Sequence, residues 1–134
     1  MIRISVIDDE IQVAFGIKDM IQHALIAQNE SASIAVYDNA QTFLHTFSSG
    51  DNDIIFLDIQ MPEMDGMTCA QEIRRRDSSV ILIFITSMVQ YAVQGYRVEA
   101  TDYLVKPVEP TLLAHSLHRA LKHLNKSQKL TIRS

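Results

Sequence analysis

The chain has 134 residues, of which 47% are hydrophobic and 21% charged, so it fits one globular domain and is not an intrinsically disordered segment. Its single cysteine, Cys69, excludes an internal disulfide, and no apolar run approaches the roughly 18 residues that a membrane span needs. The formal net charge of −4 divides into −9 for residues 1–66 and +5 for residues 67–134. Because such a chain lacks a dense basic stripe for phosphate contacts, we expect a cytoplasmic domain that itself binds neither nucleic acid nor membranes.

Five apolar, β-branched runs alternate with segments of helical periodicity, which predicts a repeated strand–helix unit. The predicted strands are Ile2–Ile7, Ala32–Tyr37, Ile54–Leu57, Val80–Ile85 and Thr101–Val105. The third and fourth runs show no polar alternation, which is typical of central parallel strands that helices cover on both faces. We therefore expect these two strands at the centre of a sheet.

The segments between the strands predict helices with one buried face. The first helix buries a stripe of four residues, and the last, which begins near Pro110, buries a second. The stripes consist of Val13, Ile17, Met20 and Ala24, and of Leu113, Leu117, Leu121 and Leu124. Shorter helices are predicted over Ala40–Phe47, Met67–Arg76 and Met88–Tyr96.

Five strand–helix units joined by right-handed crossovers predict an α/β fold with a doubly wound, five-stranded parallel sheet. In one common strand order, 2-1-3-4-5, the winding reverses between strands 1 and 3, and ligands bind beyond the carboxyl ends of those strands. Functional residues are therefore expected at that edge of the sheet.

Four of the five predicted strands end in polar residues at this edge. Strand 1 is followed by Asp8 and Asp9, strand 3 by Asp58, strand 4 by Thr86 and strand 5 by Lys106. Three carboxylates held close together repel one another unless protons or a cation offset their charge. Because oxygen ligands without nearby histidine or cysteine favour Mg²⁺ over zinc or copper, the pattern predicts a magnesium site.

The chemistry of these groups suits phosphoryl transfer. The expected magnesium ligands are Asp9 and Asp58 directly, Asp8 through a water molecule, and the backbone carbonyl of Gln60. A carboxylate beside Mg²⁺, with a hydroxyl and an ammonium nearby, suits attack on phosphorus, because the cations neutralise the phosphoryl oxygens. Asp58 is therefore the candidate nucleophile, and Thr86 and Lys106 would bind the aspartyl phosphate that it forms.

Four motifs in this order resemble the receiver domain of bacterial two-component response regulators. They are Ile7–Glu10, Leu57–Gly66, Ile85–Ser87 and Asp102–Pro107. Their acidic, phosphoacceptor, threonine and lysine positions lie 50, 28 and 20 residues apart in succession. The resemblance covers residues 2–124 and implies a flavodoxin-like receiver fold.

The resemblance implies a phosphorylation switch rather than a turnover enzyme. Asp58 would accept a phosphoryl group from the phosphohistidine of a sensor histidine kinase in a Mg²⁺-dependent reaction, and the domain would assist its own phosphotransfer and dephosphorylation. Thr86 and Tyr103 occupy the two switch positions of the family. The family changes the face of helix 4, strand 5 and helix 5, a surface suited to a homodimer or an effector contact. A cis peptide bond between Lys106 and Pro107 is a further implication.

A narrower set of residues is similar to receivers attached to LytTR-type DNA-binding domains. These residues are Tyr91, Ala92, Ala100 and the run Asp102–Pro107. The similarity implies transcription regulation through a separate domain that binds DNA. Ser87 departs from the small alanine that is most common after the switch threonine, which puts access to the phosphorylation site in question.

The expected division of the chain follows from this similarity. Residues 1–125 form the receiver domain, and residues 126–134 form a linker or the start of a truncated effector domain. In the second case Leu130–Arg133 would belong to the first strand of that domain. A standalone receiver that acts by protein–protein interaction is the alternative to this output.

Two other classes of protein share some of these features. Aspartate-nucleophile phosphatases of the haloacid dehalogenase class need an acid–base residue two positions after the nucleophile, where this chain has Gln60. A flavodoxin-like flavin module needs a loop that binds phosphate, but the acidic run Asp8–Glu10 would repel one. A phosphorylation-independent interaction module on the same scaffold is a third alternative.

Purely structural roles are the remaining alternatives for the same residues. Asp8 and Asp9 are suited to cap the first helix, and Thr86 is suited to cap the fourth. Tyr103 lies in an apolar strand and suits the core. Gly66 is expected to permit a tight turn into the third helix.

Overall fold

Strands and helices alternate along the whole described chain. The computed structural model describes the backbone of residues 1–133 and the side chains of residues 1–125. The strands are β1 (Ile2–Ile7), β2 (Ala32–Tyr37), β3 (Ile54–Leu57), β4 (Ile81–Thr86) and β5 (Asp102–Val105). The helices are α1 (Ile11–Ala27), α2 (Ala40–Thr46), α3 (Gly66–Arg76), α4 (Ala92–Arg97) and α5 (Pro110–Arg133). The first three predicted strands are confirmed residue for residue, and the last two begin one residue later than predicted.

The five strands form one parallel sheet in the order β2-β1-β3-β4-β5, as the sequence predicted. The register aligns the carboxyl ends of the central strands, because Ile7 pairs with Leu57 and Leu57 pairs with Phe84. Thr86 pairs with Val105 in the same way. The polar residues that follow these strands therefore reach the same edge of the sheet.

Two hydrophobic clusters cover the two faces of the sheet. The first consists of residues from α1 and α5 packed on alternate residues of the strands, and the second of residues from α2 and α3 on the other alternate residues. Every residue of β3 and β4 is buried, as predicted for central strands. Among the described residues, none of the helices has the length and apolarity required to cross a bilayer.

The buried face of α1 differs from the predicted stripe. Ile17 and Ala24 are buried as predicted, whereas Val13 and Met20 are only partly covered. The helix buries Ala14, Ile21 and Leu25 in addition to Ile17 and Ala24. The reason is that α1 packs against α5 and β2 as well as β1. The buried face of the helix is therefore rotated by about one residue position relative to the predicted stripe.

The predicted fourth helix is shorter and starts later than expected. A single 3₁₀ turn, Val89–Tyr91, precedes α4, so the helix does not begin at Met88. Both backbone groups of Met88 are bound by side chains, its N–H to Thr86 and its carbonyl to Tyr103. Met88 is therefore held in the loop rather than in a helix.

The last predicted boundary concerns residues 126–134. Their side chains lie outside the described part of the chain. The backbone of α5 continues through Arg133, so Leu130–Arg133 is helical and the strand expected there is wrong. The interpretation of residues 126–134 as a linker or the start of an effector domain stays a prediction. The buried residues Leu113, Leu117 and Leu121 confirm the face predicted for the earlier part of α5, and Leu124 is partly covered.

Asp77, directly after α3, ties together the loops at the amino edge of the sheet. Its Oδ1 accepts hydrogen bonds from the backbone N–H groups of Ser79 (2.9 Å) and Val80 (3.0 Å) and from the Ser79 hydroxyl (3.0 Å). Its Oδ2 accepts a hydrogen bond from the N–H of Gly50 at 3.0 Å. Burial alone would raise the pKa of Asp77, but these four donors hold the pKa below its ordinary value.

We expect Asp77→Ala to lower the free energy of unfolding by about 2–4 kcal/mol near pH 7, because it leaves three backbone donors without their partner, and the N–H of Val80 among them is buried. Since the pKa of Asp77 is lower in the folded than in the unfolded chain, its contribution is present above about pH 4 and is lost as the pH falls through the folded value. Urea denaturation of both proteins across pH 3–8 measures this.

The exposed Asp38 provides the control, and Asp38→Ala is expected to change stability by less than about 0.5 kcal/mol. A stability difference between the wild type and Asp77→Ala that stays constant down to pH 3 would contradict the assigned role of the Asp77 carboxylate.

Candidate functional site

A buried ion-pair cluster lies at the carboxyl edge of the sheet. The Nζ of Lys106 donates hydrogen bonds to Oδ2 of Asp8 at 2.7 Å and to Oδ2 of Asp58 at 2.8 Å. Asp8 is 0% and Asp58 4% exposed. The aligned ends of β1 and β3 place the two carboxylates side by side, and the end of β5 supplies the ammonium. The structure therefore brings together three residues that lie 98 positions apart at their extremes.

The electrostatics of the cluster favour a further positive charge. Burial raises the pKa of Asp8, and the neighbouring Asp58 adds to the increase, although hydrogen bonds from Lys106 and Glu10 oppose it. Burial also opposes the charge on Lys106, but its bonds to Asp58 and Asp8 raise its pKa above the ordinary value. Lys106 is therefore charged at neutral pH, while Asp8 lies in an environment that disfavours its own charge.

A group of three carboxylates surrounds the entrance to this cluster. Oxygens of Asp8, Asp9 and Glu10 lie within 4.8 Å of one another, and Asp9 and Glu10 are exposed. Glu10 Oε1 also lies 3.9 Å from Lys106 Nζ. Three carboxylates, those of Asp8, Glu10 and Asp58, lie within 3.9 Å of the Lys106 ammonium, and Asp9 lies beside Asp8 and Glu10, which leaves an excess of negative charge and only oxygen donors. This donor set fits Mg²⁺, which prefers hard oxygen ligands and retains several waters.

Glu10 is a member of this group to which sequence reasoning assigned no role. Its signal was the third place in the acidic run Asp8–Glu10, directly after a strand. Asp58 approaches the group through the shared Lys106 and is not one of the three mutually close carboxylates. The ligand role of the Gln60 carbonyl stays a prediction, since the contact that the structure shows is the Gln60 N–H donating to Asp58 Oδ1 at 3.3 Å.

The backbone of Asp58 is held by the start of α3. The N–H of Gly66 donates to the carbonyl of Ile59 at 2.8 Å. A Cβ at position 66 would lie 1.9 Å from the backbone oxygen of Asp58 and 2.8 Å from the Cα of Ile59. Gly66 is therefore required by close approach to the backbone of Asp58 and Ile59 and not by a left-handed φ. The predicted tight turn into α3 stays a prediction.

The two predicted switch residues are joined through the backbone of Met88. The Oγ1 of the fully buried Thr86 accepts a hydrogen bond from the Met88 N–H at 3.1 Å. The hydroxyl of Tyr103 donates to the Met88 carbonyl. The Tyr103 ring packs on Phe84, with ring centroids 5.7 Å apart. A displacement of Thr86 therefore acts on the residue that holds Tyr103.

The structural alternatives describe part of what these residues do. The N-cap of α1 is Glu10, and no side-chain bond caps that helix in the described chain. Asp8 instead accepts a bond from the Glu10 N–H at 2.9 Å, in addition to its bond from Lys106. Thr86 holds the loop before the 3₁₀ turn, and Tyr103 is partly exposed rather than fully in the core. The Lys106–Pro107 peptide bond is cis.

Comparison with known proteins identifies the family that this geometry belongs to. The family model of the response regulator receiver domain matches residues 4–118. The chain is 30% identical to the sensory transduction protein LytT of Oceanobacillus iheyensis, over 81% of this chain and 45% of LytT. It is 31% identical to the regulatory protein AtoC of Escherichia coli, over 93% of this chain and 28% of AtoC. The chain thus spans less than half the length of these relatives.

Solved structures show the same fold. The response regulator TrrA from Thermotoga maritima, in complex with Mg²⁺-BeF, superposes with a TM-score of 0.77 at 28% sequence identity. The match covers 90% of this chain and 99% of that one.

We expect Gly66→Ala to lower the free energy of unfolding by roughly 3 kcal/mol, because its Cβ meets backbone atoms that cannot rotate away. The matched control is Gly16→Ala in α1, where a Cβ meets nothing within 4 Å. That change should stabilise the protein by up to about 1 kcal/mol through helix propensity. Urea denaturation measures both, and equal stability of Gly66→Ala and the wild type would show that the contact with Asp58 is not a constraint.

Proposed function

Because the chain belongs to the response regulator receiver domain family, we propose that it is a phosphorylation switch of a two-component system with Asp58 as the phosphoacceptor. The observation that carries this proposal is the buried Asp58 carboxylate bound by Lys106 beside Asp8. The phosphodonor is the phosphohistidine of a sensor histidine kinase, and the protein acts in the cytoplasm. The domain is not a turnover enzyme, although it assists its own phosphotransfer and dephosphorylation.

In the proposed reaction an oxygen of Asp58 attacks the phosphorus atom of the phosphohistidine. The P–O bond forms as the P–N bond breaks, and the electron pair of the broken bond leaves with the imidazole. Lys106 transfers no proton in this step. Its ammonium, already within hydrogen-bond distance of Asp58, donates to a phosphoryl oxygen as the negative charge on that oxygen grows.

The acidic residues are proposed to hold Mg²⁺ for this reaction. The ligands are Asp9 and Asp58 directly, Asp8 through water, and the Gln60 carbonyl, with Glu10 close enough to add charge. Bound Mg²⁺ would neutralise the phosphoryl oxygens. The excess of carboxylates over ammonium groups supports this assignment, and so does the complex of the related TrrA with Mg²⁺-BeF.

Phosphorylation is proposed to shift Thr86 and Tyr103. The aspartyl phosphate adds roughly −1.5 to −2 charges and strong acceptor oxygens beside β4. The Thr86 hydroxyl, which now accepts from Met88, has its own proton to donate to such an oxygen. Moving Thr86 inward displaces Met88, whose carbonyl holds Tyr103, so the population shifts between two arrangements of this group.

The output surface is proposed to be the face of α4, β5 and α5. Large apolar side chains are exposed in this region: Val89, Val93, Tyr96, Val105 and Leu112. Such a surface suits a homodimer or an effector contact. The similarity to LytT supports a LytTR-type DNA-binding domain as the output, with DNA bound by that domain and transcription as the regulated process. A standalone receiver that uses the same face for protein contacts is the alternative.

We expect Asp58→Asn to abolish covalent labelling by radioactive acetyl phosphate in the presence of Mg²⁺, because the amide is no nucleophile for phosphorus. The matched control is Asp38→Asn, which changes the exposed aspartate directly after β2 at the same edge of the sheet and should retain wild-type labelling. Undiminished labelling of Asp58→Asn would refute the assignment.

We expect Lys106→Met to slow the same labelling by a factor on the order of 100, because the growing charge on phosphorus loses its ammonium. Calorimetry should find Mg²⁺ affinity undiminished, since the change removes a positive charge that repels the ion. The exposed Lys122→Met is the control and should label at the wild-type rate. A Lys106→Met protein that labels as fast as the wild type would show that Lys106 has no part in the reaction.

A further inference from the structure

Gly95 occupies a position where any side chain would meet the switch tyrosine. It is the buried residue of α4, a helix of six residues. A Cβ added at Gly95 would lie 3.3 Å from Cδ2 of Tyr103 and 3.5 Å from Cδ2 and Cε2 of Phe84. The two aromatic rings therefore occupy the space beside the Gly95 backbone.

The backbone conformation does not require glycine at this position. Gly95 lies inside a helix, and its φ is outside the left-handed region. Glycine in a helix interior is unfavourable relative to alanine by roughly fivefold in the folding equilibrium constant. The sequence thus has a glycine where helix propensity favours alanine. A methyl group at this position would contact the rings of Tyr103 and Phe84.

The two rings differ in their freedom to move away from a methyl group. Phe84 is 0% exposed in a central strand, and a separation of 3.5 Å is ordinary van der Waals contact. Tyr103 is partly exposed in the edge strand β5, and 3.3 Å is closer than such contact. A side chain at position 95 therefore presses on Tyr103 rather than on Phe84.

Tyr103 is held at the far end of the same ring. Its hydroxyl donates to the Met88 carbonyl, which belongs to the loop that Thr86 also binds. Hydrogen bonds weaken steeply when their geometry is disturbed. A push on Cδ2 of Tyr103 is thus transmitted to its bond with Met88.

We propose that Gly95 is a positioning residue for the Tyr103 switch. By lacking a Cβ it leaves the space in which the Tyr103 ring lies with its hydroxyl on the Met88 carbonyl. A larger residue at position 95 shifts Tyr103 away from this arrangement. The inference rests on the proposed function of Tyr103 as a switch and adds the residue that sets the space available to the Tyr103 ring when its hydroxyl is bonded to Met88.

A double-mutant cycle of Gly95→Ala and Tyr103→Ala tests the contact by urea denaturation of the unphosphorylated protein. Without the tyrosine ring, Gly95→Ala should lower the unfolding equilibrium constant about fivefold through helix propensity. With the ring present, that gain should disappear or reverse. Gly16→Ala, which meets no atom within 4 Å, is the control and should stabilise equally in both backgrounds. An equal effect of Gly95→Ala in both backgrounds would overturn the proposal.

A second measurement reports the ring itself. In protein labelled with ¹³C-tyrosine, the ring signals of Tyr103, assigned by their loss in Tyr103→Phe, should shift in Gly95→Ala. The same signals should not shift in Gly16→Ala. If Gly95→Ala acted only through helix stability, the Tyr103 signals would not shift in that variant either. Tyr103 signals that do not move in Gly95→Ala would refute the positioning role even if stability changes.

These experiments are separable from the test of Asp58 because they use no phosphodonor. If the double-mutant cycle finds no coupling energy between Gly95 and Tyr103, the positioning role is refuted, and the result for the labelling of Asp58 is unaffected. Undiminished labelling of Asp58→Asn refutes the proposed phosphoacceptor and leaves the measured coupling between Gly95 and Tyr103 as it stands.

Discussion

The ammonium of Lys106 bonded to the carboxylates of Asp8 and Asp58 is the interaction on which the site depends. Two buried carboxylates side by side repel each other, and in a buried ion pair the loss of one partner typically costs about 3–5 kcal/mol. The arrangement exists only if β1, β3 and β5 end at the same edge of one sheet. The parallel register provides this, and the helices that connect the strands bury the central ones.

The functional residues around this cluster are connected by backbone groups as well as by side chains. Gly66 lets the start of α3 lie against the carbonyl of Asp58, and Met88 joins Thr86 to Tyr103 through its own N–H and carbonyl. Gly95 gives the Tyr103 ring its space. Of the three positions that act through the backbone, Gly66 and Gly95 are glycines, because close approach of a backbone or a ring leaves no room for a Cβ.

The helix α4 is bound differently at its two ends. Just beyond its carboxyl end, the guanidinium of Arg74 donates to the carbonyl of Val98 at 2.6 Å and to that of Glu99 at 3.0 Å. Its Nη1 also donates to Val80 at the start of β4. At its amino end, α4 follows the loop of Met88. The amino end of α4 is thus the end that is connected to the proposed switch residues Thr86 and Tyr103, through Met88.

The sequence by itself determined the strands and the polar residues that follow them, because apolar periodicity and strand ends are local properties of the chain. The strand order was taken from the order common to doubly wound sheets, and the structure confirmed it. The three-residue cluster of Asp8, Asp58 and Lys106 followed from that order, since parallel strands bring their carboxyl ends together. The family followed from motifs in sequence.

The tertiary structure alone decided which atoms touch. It rotated the buried face of α1 and brought Glu10 into the acidic group. It also replaced the first turn of the predicted fourth helix with the 3₁₀ turn Val89–Tyr91, which follows Met88 in the loop. It also decided why Gly66 and Gly95 are glycines. These features depend on distances between residues that are remote in sequence, and packing of the two hydrophobic clusters sets those distances, whereas a local pattern does not contain them.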